Sequence, residues 1–247
     1  MWAPESLVIV AATFLIAGAV KGVVGLGLPT ISLALLTAAF GLTEAMALML
    51  IPSFVTNAWQ GMVGGALSEI LRRLWPLLVV ACLGIWMGAG ILAKSDARLL
   101  SGLLGAVLCL YSLISLTSVR VPAPGAREKW LSPVIGLING TLTGLTGSFV
   151  VPATLYLQAL GLDRNVLIQA MGVLYTVSTV ALGIALAGNR LLPQDLGVIS
   201  VIAVLPALAG MVVRQRVRQS LSETAFRKVF FSSLLVLGLY IMGRAFI

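Results

Sequence analysis

The 247-residue chain is too apolar and too poor in charge to be a water-soluble domain. Sixty per cent of its residues are hydrophobic, 10% are charged and the mean hydropathy is +1.09, whereas soluble domains carry about 25% charged residues. The net charge of +8 does not indicate a nucleic-acid partner, because the lysines and arginines lie in short stretches between apolar runs. The composition predicts an all-α integral membrane protein surrounded by the lipid bilayer.

Apolar runs separated by polar residues predict ten helical segments. In chain order these are 5–21, 28–40, 43–65, 74–93, 98–118, 131–142, 148–160, 165–188, 194–213 and 227–246. A linker rich in proline, glycine and charge, residues 120–130, divides a first membrane repeat (1–119) from a second (131–247). No charged stretch precedes the first apolar run, so we expect this run to be retained and not cleaved as a signal peptide.

Each predicted repeat contains a glycine-rich break, residues 22–29 in the first and 140–152 in the second. Both breaks follow an apolar run and lead through a proline into a short helix that ends at a Gly-Leu pair. Matching features are 118 to 123 residues apart throughout. The ordered series indicates a duplicated architecture.

Loop charge predicts the orientation of the chain in the cytoplasmic (inner) membrane. The loops after odd-numbered segments hold twelve lysines and arginines, and the opposite side holds four. The positive-inside rule therefore predicts that both termini lie outside. Five segments per half is an odd number, so the second repeat is expected to be inverted, as in many secondary transporters. The first two segments of each repeat are short, and both full spans and re-entrant hairpins fit them.

The two breaks are the candidate binding site for a small anion. A helix that starts after a glycine-rich break presents unpaired backbone N–H groups and a partial positive charge. Glycines also let a ligand approach the backbone closely, and hydroxyls add donors. The candidate residues of the breaks are Gly22, Gly25, Gly27, Thr30, Thr143, Thr146, Gly147 and Ser148.

Three further polar side chains are candidates in apolar surroundings. Lys21, beside the first break, either pairs with an anion or extends its ammonium to the membrane interface, and its counterpart in the second half is Asn139. Asn57 and Gln60 share a helix face, where they either line a pathway or form interhelical hydrogen bonds.

Several chemistries lack the residues they need. All eight carboxylates lie at segment ends or in loops, and the chain has no histidine, so no deep proton relay is visible. The sequence contains no catalytic set, no Walker motif and no spacing typical of metal ligands, and both cysteines lie in apolar runs. We therefore expect no enzymatic activity, no cofactor and no metal.

The residues of the breaks resemble the sulfite exporter TauE/SafE (TSUP) family of membrane transporters. The resemblance rests on GVVGLGLPTISLAL, GLTGSFVVPATLYLQALGL and IPSFVTNAWQG, and it extends over both halves. It implies a secondary transporter for a small sulfur-containing anion such as sulfite, sulfoacetate or another organosulfonate. The first glycine cluster is sparser than the family's GxGGG form, which leaves the substrate open. An anion channel of the same fold and a non-transporting membrane scaffold are alternatives, and a homo-oligomer is compatible with the sequence.

Overall fold

The computed structural model describes residues 3–25, 27–117, 122–217 and 223–246, and in these ranges the regular structure is helical. The helices are α1 (Pro4–Val24), α2 (Leu28–Phe40), α3 (Leu42–Met62), α4 (Leu67–Leu92), α5 (Ala97–Thr117), α6 (Glu128–Thr146), α7 (Ala153–Ala159), α8 (Arg164–Gly188), α9 (Gln194–Ile202), α10 (Val204–Val217) and α11 (Glu223–Ala245), with a 3₁₀ turn at Gly125–Arg127. In the described part, α1, α4, α5, α8, α11 and a segment from α9 into α10 are long and apolar enough to cross a membrane. The predicted all-α membrane class is confirmed.

The helix ends differ from the prediction around the breaks and at the start of α4, which begins at Leu67 and not at residue 74. α1 has 21 residues and α6 has 19, so the first segment of each repeat is not short. The second segments are short: α2 has 13 residues and α7 has seven, which correspond to about 20 Å and about 10 Å along the axis. Each is shorter than the hydrocarbon core of a bilayer, about 30 Å. Ala203 separates α9 from α10, which the sequence predicted as one helix.

The chain forms two compact units, each built from both sequence halves. The first unit comprises Met1–Pro52, Ala97–Ser118 and Leu192–Ile247, and the second comprises Ser53–Asp96 and Val119–Leu191. In the first unit α1 packs against α10, α5 packs against α11, and α2 contacts α1 and α11. In the second unit α4 packs against α6 and α8, and α7 contacts α6 and α8. The predicted repeat boundary at residues 119–120 lies outside the described residues and remains a prediction.

Glycine-mediated close contacts between helices occur in both units. In the first unit a Cβ atom on Gly18 of α1 would lie 2.1 Å from the Ala207 carbonyl oxygen of α10. In the second unit a Cβ atom on Gly140 of α6 would lie 2.1 Å from the Ala81 carbonyl oxygen of α4. Glycine at these positions lets two helix backbones touch, which is how membrane helices commonly pack. The recurrence supports the predicted duplication, and the inversion of the second repeat stays a prediction.

Candidate functional site

The α6–α7 break of the second unit is a short, buried, non-helical segment. Gly147 ends α6 in the left-handed conformation (φ 74°), and its N–H donates to the Thr143 carbonyl oxygen at 2.7 Å. Residues 148–152 then run without helical structure until α7 begins at Ala153, and Ser148 through Val151 are buried. The break is shorter than predicted because residues 140–146 are helical. Gly140 and Gly144 serve the close contact with α4.

Side chains of α6 hold this break in place. The Thr143 hydroxyl donates to the Ser148 carbonyl oxygen at 2.8 Å. The Thr146 hydroxyl donates to the Leu142 carbonyl oxygen at 2.7 Å and accepts from the Ser148 N–H at 3.3 Å. Both threonine hydroxyls, which the sequence offered as ligand donors, therefore bond to the protein's own backbone.

Asn139 joins α6 to the start of α7. Its Oδ1 accepts from the Ala153 N–H at 3.1 Å, and the Thr154 N–H bonds to the Val150 carbonyl oxygen at 2.9 Å. We expected the first N–H groups of this helix to be unpaired and directed at an anion. That expectation is wrong at these two positions, because a side chain and the preceding loop already accept their hydrogens.

Two buried donors at the break lack a partner. Asn139 is 0% exposed and Ser148 is 2% exposed. Neither Asn139 Nδ2 nor Ser148 Oγ has a hydrogen-bond partner in the described part of the chain. A buried polar group without a partner costs about 1–3 kcal/mol, and most such groups in native proteins are satisfied. Both donors lie beside the irregular, buried backbone that joins α6 to α7.

The start of α7 is also fixed from α8. Thr154 Oγ1 and the Tyr175 hydroxyl share a hydrogen bond of 2.6 Å, and the rings of Phe149 and Tyr175 lie 5.9 Å apart. Tyr175 is not among the residues that the sequence predicts for the site. A polar aromatic residue within the apolar run of α8 was the available signal.

A third set of bonds anchors the beginning of α6. Arg73 donates twice to the Glu128 carboxylate, at 2.6 and 2.8 Å, and the guanidinium holds the pKa of that carboxyl below its usual value. Tyr156 of α7 shares a 2.7 Å hydrogen bond with Ser132 and donates to the Glu128 carbonyl oxygen at 3.4 Å. α4, α6 and α7 are thus joined by polar contacts that the sequence did not reveal.

Asn57 and Gln60 occupy the part of α3 that belongs to the second unit. Gln60 Nε2 donates to the Ile168 carbonyl oxygen at 2.7 Å, and Gln169 Nε2 donates in return to the Gly61 carbonyl oxygen at 3.0 Å. Gln169 Oε1 also accepts from the Ala66 N–H at 3.0 Å. These reciprocal bonds favour the interhelical role for Gln60. Asn57 is fully buried.

The α1–α2 break of the first unit also begins with a left-handed glycine at the end of a helix, but its side chains are different. Gly25 (φ 80°) ends α1 and donates its N–H to the Lys21 carbonyl oxygen at 2.8 Å, and Gly27 (φ 104°) precedes α2. Lys21 is 3% exposed, which disfavours an ammonium extended to the interface. Gly22 lies within α1, and Thr30 is buried in the first turn of α2.

The helix caps give a new correspondence between the halves. Gly25 bonds to Lys21 and Gly147 bonds to Thr143, and 122 residues separate each pair of equivalent positions. The same separation relates Gly18 to Gly140. The counterpart of Lys21 is therefore Thr143 and not Asn139, whose own counterpart is the buried Ala17.

Within the described ranges, no three His, Cys, Asp or Glu side chains are grouped as metal ligands.

A family model described as sulfite exporter TauE/SafE matches residues 10–241 of the chain. No curated protein and no solved structure gives a significant match.

Proposed function

Because the chain belongs to the sulfite exporter TauE/SafE family of membrane transporters, we propose that it carries a small sulfur-containing anion across the cytoplasmic membrane. The mechanism we propose is secondary transport. Sulfite, sulfoacetate and other organosulfonates form the expected substrate class.

The observation that carries this proposal is the pair of unpartnered donors at the α6–α7 break. Asn139 Nδ2 brings two N–H groups and Ser148 brings one O–H, and both atoms are buried. An oxyanion accepts such hydrogen bonds strongly, because bonds to a charged acceptor contribute about 1.5–3 kcal/mol each. Anion binding would satisfy the donors without any large change in the surrounding bonds.

The proposed roles follow from the contacts of each residue. Asn139 and Ser148 would bind the anion directly, while Thr143, Thr146 and Gly147 hold the backbone that presents them. Lys21, with Gly22, Gly25, Gly27 and Thr30, is the proposed contribution of the α1–α2 break, where the buried Lys21 side chain would pair as an ammonium with the anion. Asn57 is proposed to line the pathway.

Replacing Ser148 by alanine tests the direct role. Removing an unpartnered buried hydroxyl should preserve or raise the thermal stability of the anion-free protein, because no hydrogen bond is lost. In proteoliposomes, sulfite affinity should fall about tenfold, which corresponds to one bond to a charged acceptor. Stability would be measured by a thermal melt and transport by sulfite uptake under anaerobic conditions.

Ser112→Ala is the matched control. Ser112 is equally buried, but its hydroxyl donates to the Leu108 carbonyl oxygen within α5, so transport should be unchanged. A Ser148→Ala protein with unaltered sulfite affinity would contradict the assignment. Flux that rises linearly with millimolar sulfite, with no saturation, would instead favour the anion channel.

A further inference from the structure

A polar cavity lies at one end of the first unit, separate from both breaks. It encloses about 500 Å³ where the last residues of α2, the first turn of α5 and the last turns of α11 come together. α11 contacts both α2 and α5, so three helices define it. The polar side chains that line it are those of Thr37, Arg98, Ser101, Tyr240 and Arg244.

The cavity brings together two of the few basic residues that are predicted on this side of the membrane. The sequence assigns only four of its sixteen lysines and arginines to this side of the membrane, namely Lys94, Arg98, Arg190 and Arg244. Two of the four line one cavity although 146 residues separate them in the chain. Their convergence brings two guanidinium groups to one cavity on the side that is predicted to be poor in basic residues.

Arg244 compensates a feature of the cavity that would repel an anion. α2 ends at the cavity, and the carbonyl end of a helix carries a partial negative charge of about half a unit. Arg244 Nη1 donates to the Ala38 carbonyl oxygen of this last turn at 2.7 Å. That bond uses one of the five N–H groups of a guanidinium, so the side chain can cap the helix and still contribute to binding.

Thr37 provides a donor that lacks a partner. It is 6% exposed, it lines the cavity, and its hydroxyl has no hydrogen-bond partner in the described part of the chain. The Ser101 hydroxyl, in contrast, already donates to the Ala97 carbonyl oxygen at 2.8 Å. Thr37 is therefore the hydroxyl that a bound acceptor would engage.

We propose that this cavity is a second anion site, in which Arg98, Arg244 and Thr37 hold the charged head of an oxyanion. The inference stands on the first unit alone and does not rest on the proposed transport function. A sulfite-like solute and the phosphate of a phospholipid offer the same chemistry: a compact anion with several acceptor oxygens.

Glu44 provides an internal check on the charge of the site. A Cβ atom on Gly41, which lines the cavity, would lie 3.2 Å from Glu44 Oε2. This carboxylate stands beside the wall and opposes anion binding. Glu44→Gln should therefore tighten binding, whereas loss of either arginine should weaken it.

The experiment is calorimetric titration of the purified protein with sodium sulfite, under anaerobic conditions in a neutral detergent. The proposal expects a binding event that survives Ser148→Ala. In an Arg98→Gln/Arg244→Gln double variant this event should weaken about tenfold or more, as expected for bonds between charged groups. Thr37→Val should weaken it by a smaller factor and does not disturb the cap on α2, which separates ligand binding from folding.

The matched control is Lys94→Gln/Arg190→Asn. It removes the same number of positive charges from the same predicted side of the membrane, and it should leave the titration unchanged. Native mass spectrometry in the presence of phosphatidylglycerol or phosphatidylcholine distinguishes a free anion from a lipid headgroup as the ligand. If phosphatidylglycerol stays bound to the parent protein and is released by the two arginine substitutions, the ligand is the lipid headgroup. If neither sulfite nor phosphatidylglycerol binding responds to the arginine variants and Thr37→Val, the second site is refuted. If the parent protein shows no binding event that depends on Ser148, only the proposed transport site is contradicted.

Discussion

The α1–α2 and α6–α7 breaks share one backbone design and differ in nearly every polar contact. Both begin with a left-handed glycine, Gly25 or Gly147, whose N–H bonds to the residue four positions earlier. At the second break, threonines and Asn139 bind the loop backbone and two buried donors remain unpartnered. At the first break the described side chains are mostly apolar, and the exceptions are the buried Lys21 and Thr30.

If both breaks bind the proposed anion, this difference gives them different roles. The second break offers neutral donors in fixed positions, which suits the geometry of an oxyanion. The first offers a charge on a flexible side chain, which suits attraction more than orientation. A duplicated backbone can therefore be retained while the two copies diverge chemically at equivalent positions such as Lys21 and Thr143.

The largest expected effect tests whether the two copies are packed alike. Gly18→Ala and Gly140→Ala each place a Cβ about 2 Å from a backbone oxygen of the neighbouring helix, a clash that the backbone must relieve. Overpacking of this kind typically costs about 1–3 kcal/mol or more. Both variants should lower the melting temperature by similar amounts in a thermal melt of detergent-solubilised protein.

Gly90→Ala is the control for this pair. No atom lies within 4 Å of a Cβ at that position of α4, so alanine should stabilise the helix by about 0.5–1 kcal/mol. Loss of stability in only one of the two glycine variants would show that the copies pack differently and would weaken the argument for duplication.

The next effect is on transport, at the equivalent positions Lys21 and Thr143. Lys21→Met should lower sulfite affinity by about tenfold or more, because bonds to a charged group are lost. Thermal stability is measured beside transport, and a loss of affinity in protein that stays folded at the assay temperature supports the binding role of Lys21. Thr143→Val should lower stability and transport together, because it releases the Ser148 carbonyl oxygen. Proteoliposome uptake and thermal melts measure both.

The exposed Lys94→Met is the control for Lys21→Met and should change neither quantity. If Lys21→Met and Thr143→Val both leave flux and affinity unchanged, the site assignment is wrong at both breaks.

The fold was largely predictable from the sequence, because apolar length and composition determine which segments can cross a membrane. The ends of α6 were not. Gly140 and Gly144 indicate an unwound chain when taken alone, but both let α6 contact α4 while remaining helical. A glycine that permits a turn and a glycine that permits a close helix contact look the same in one sequence.

Burial of the candidate site residues was predictable where their polarity is unusual for the surrounding apolar run. Lys21, Asn139 and Ser148 stand out in apolar runs and are buried. The roles of Gln60 and Arg73 could not be derived, because their partners are 108 and 55 residues away in the chain. Sequence alone identifies such a polar residue without identifying its partner, and the partner decides between ligand binding and structure.

A smaller effect should separate Gln60 from the binding residues. Gln60→Leu removes a donor from the Ile168 carbonyl oxygen, which should cost about 1–3 kcal/mol if that oxygen stays buried and unpaired. Sulfite affinity should remain within about twofold of the parent once the protein is folded. Gln169→Leu breaks the reciprocal bonds and should behave alike in the thermal melt. If Gln60→Leu lowered sulfite affinity without a comparable loss of stability, Gln60 would be assigned to the transport pathway.

The smallest expected effect concerns how each short helix is anchored. α2 is held at its carbonyl end by Arg244, whereas α7 is tied through Tyr156 to the beginning of α6, where Arg73 pairs with Glu128. Arg73 lowers the pKa of Glu128 in the folded protein, so the stabilisation is present above the unfolded pKa, about 4.3. It is lost as the pH falls through the lowered folded value, because the carboxylate then becomes protonated.

The pair is partly exposed, so its contribution should be small and weakened by salt. The melting temperature of the parent should exceed that of Glu128→Gln at pH 6, and the two should converge at a pH below the folded pKa of Glu128. If the melting temperatures of the parent and Glu128→Gln differed by the same amount at all pH values, α7 would be anchored by the Tyr156 bonds alone. The ion pair would then contribute nothing to the difference between α2 and α7.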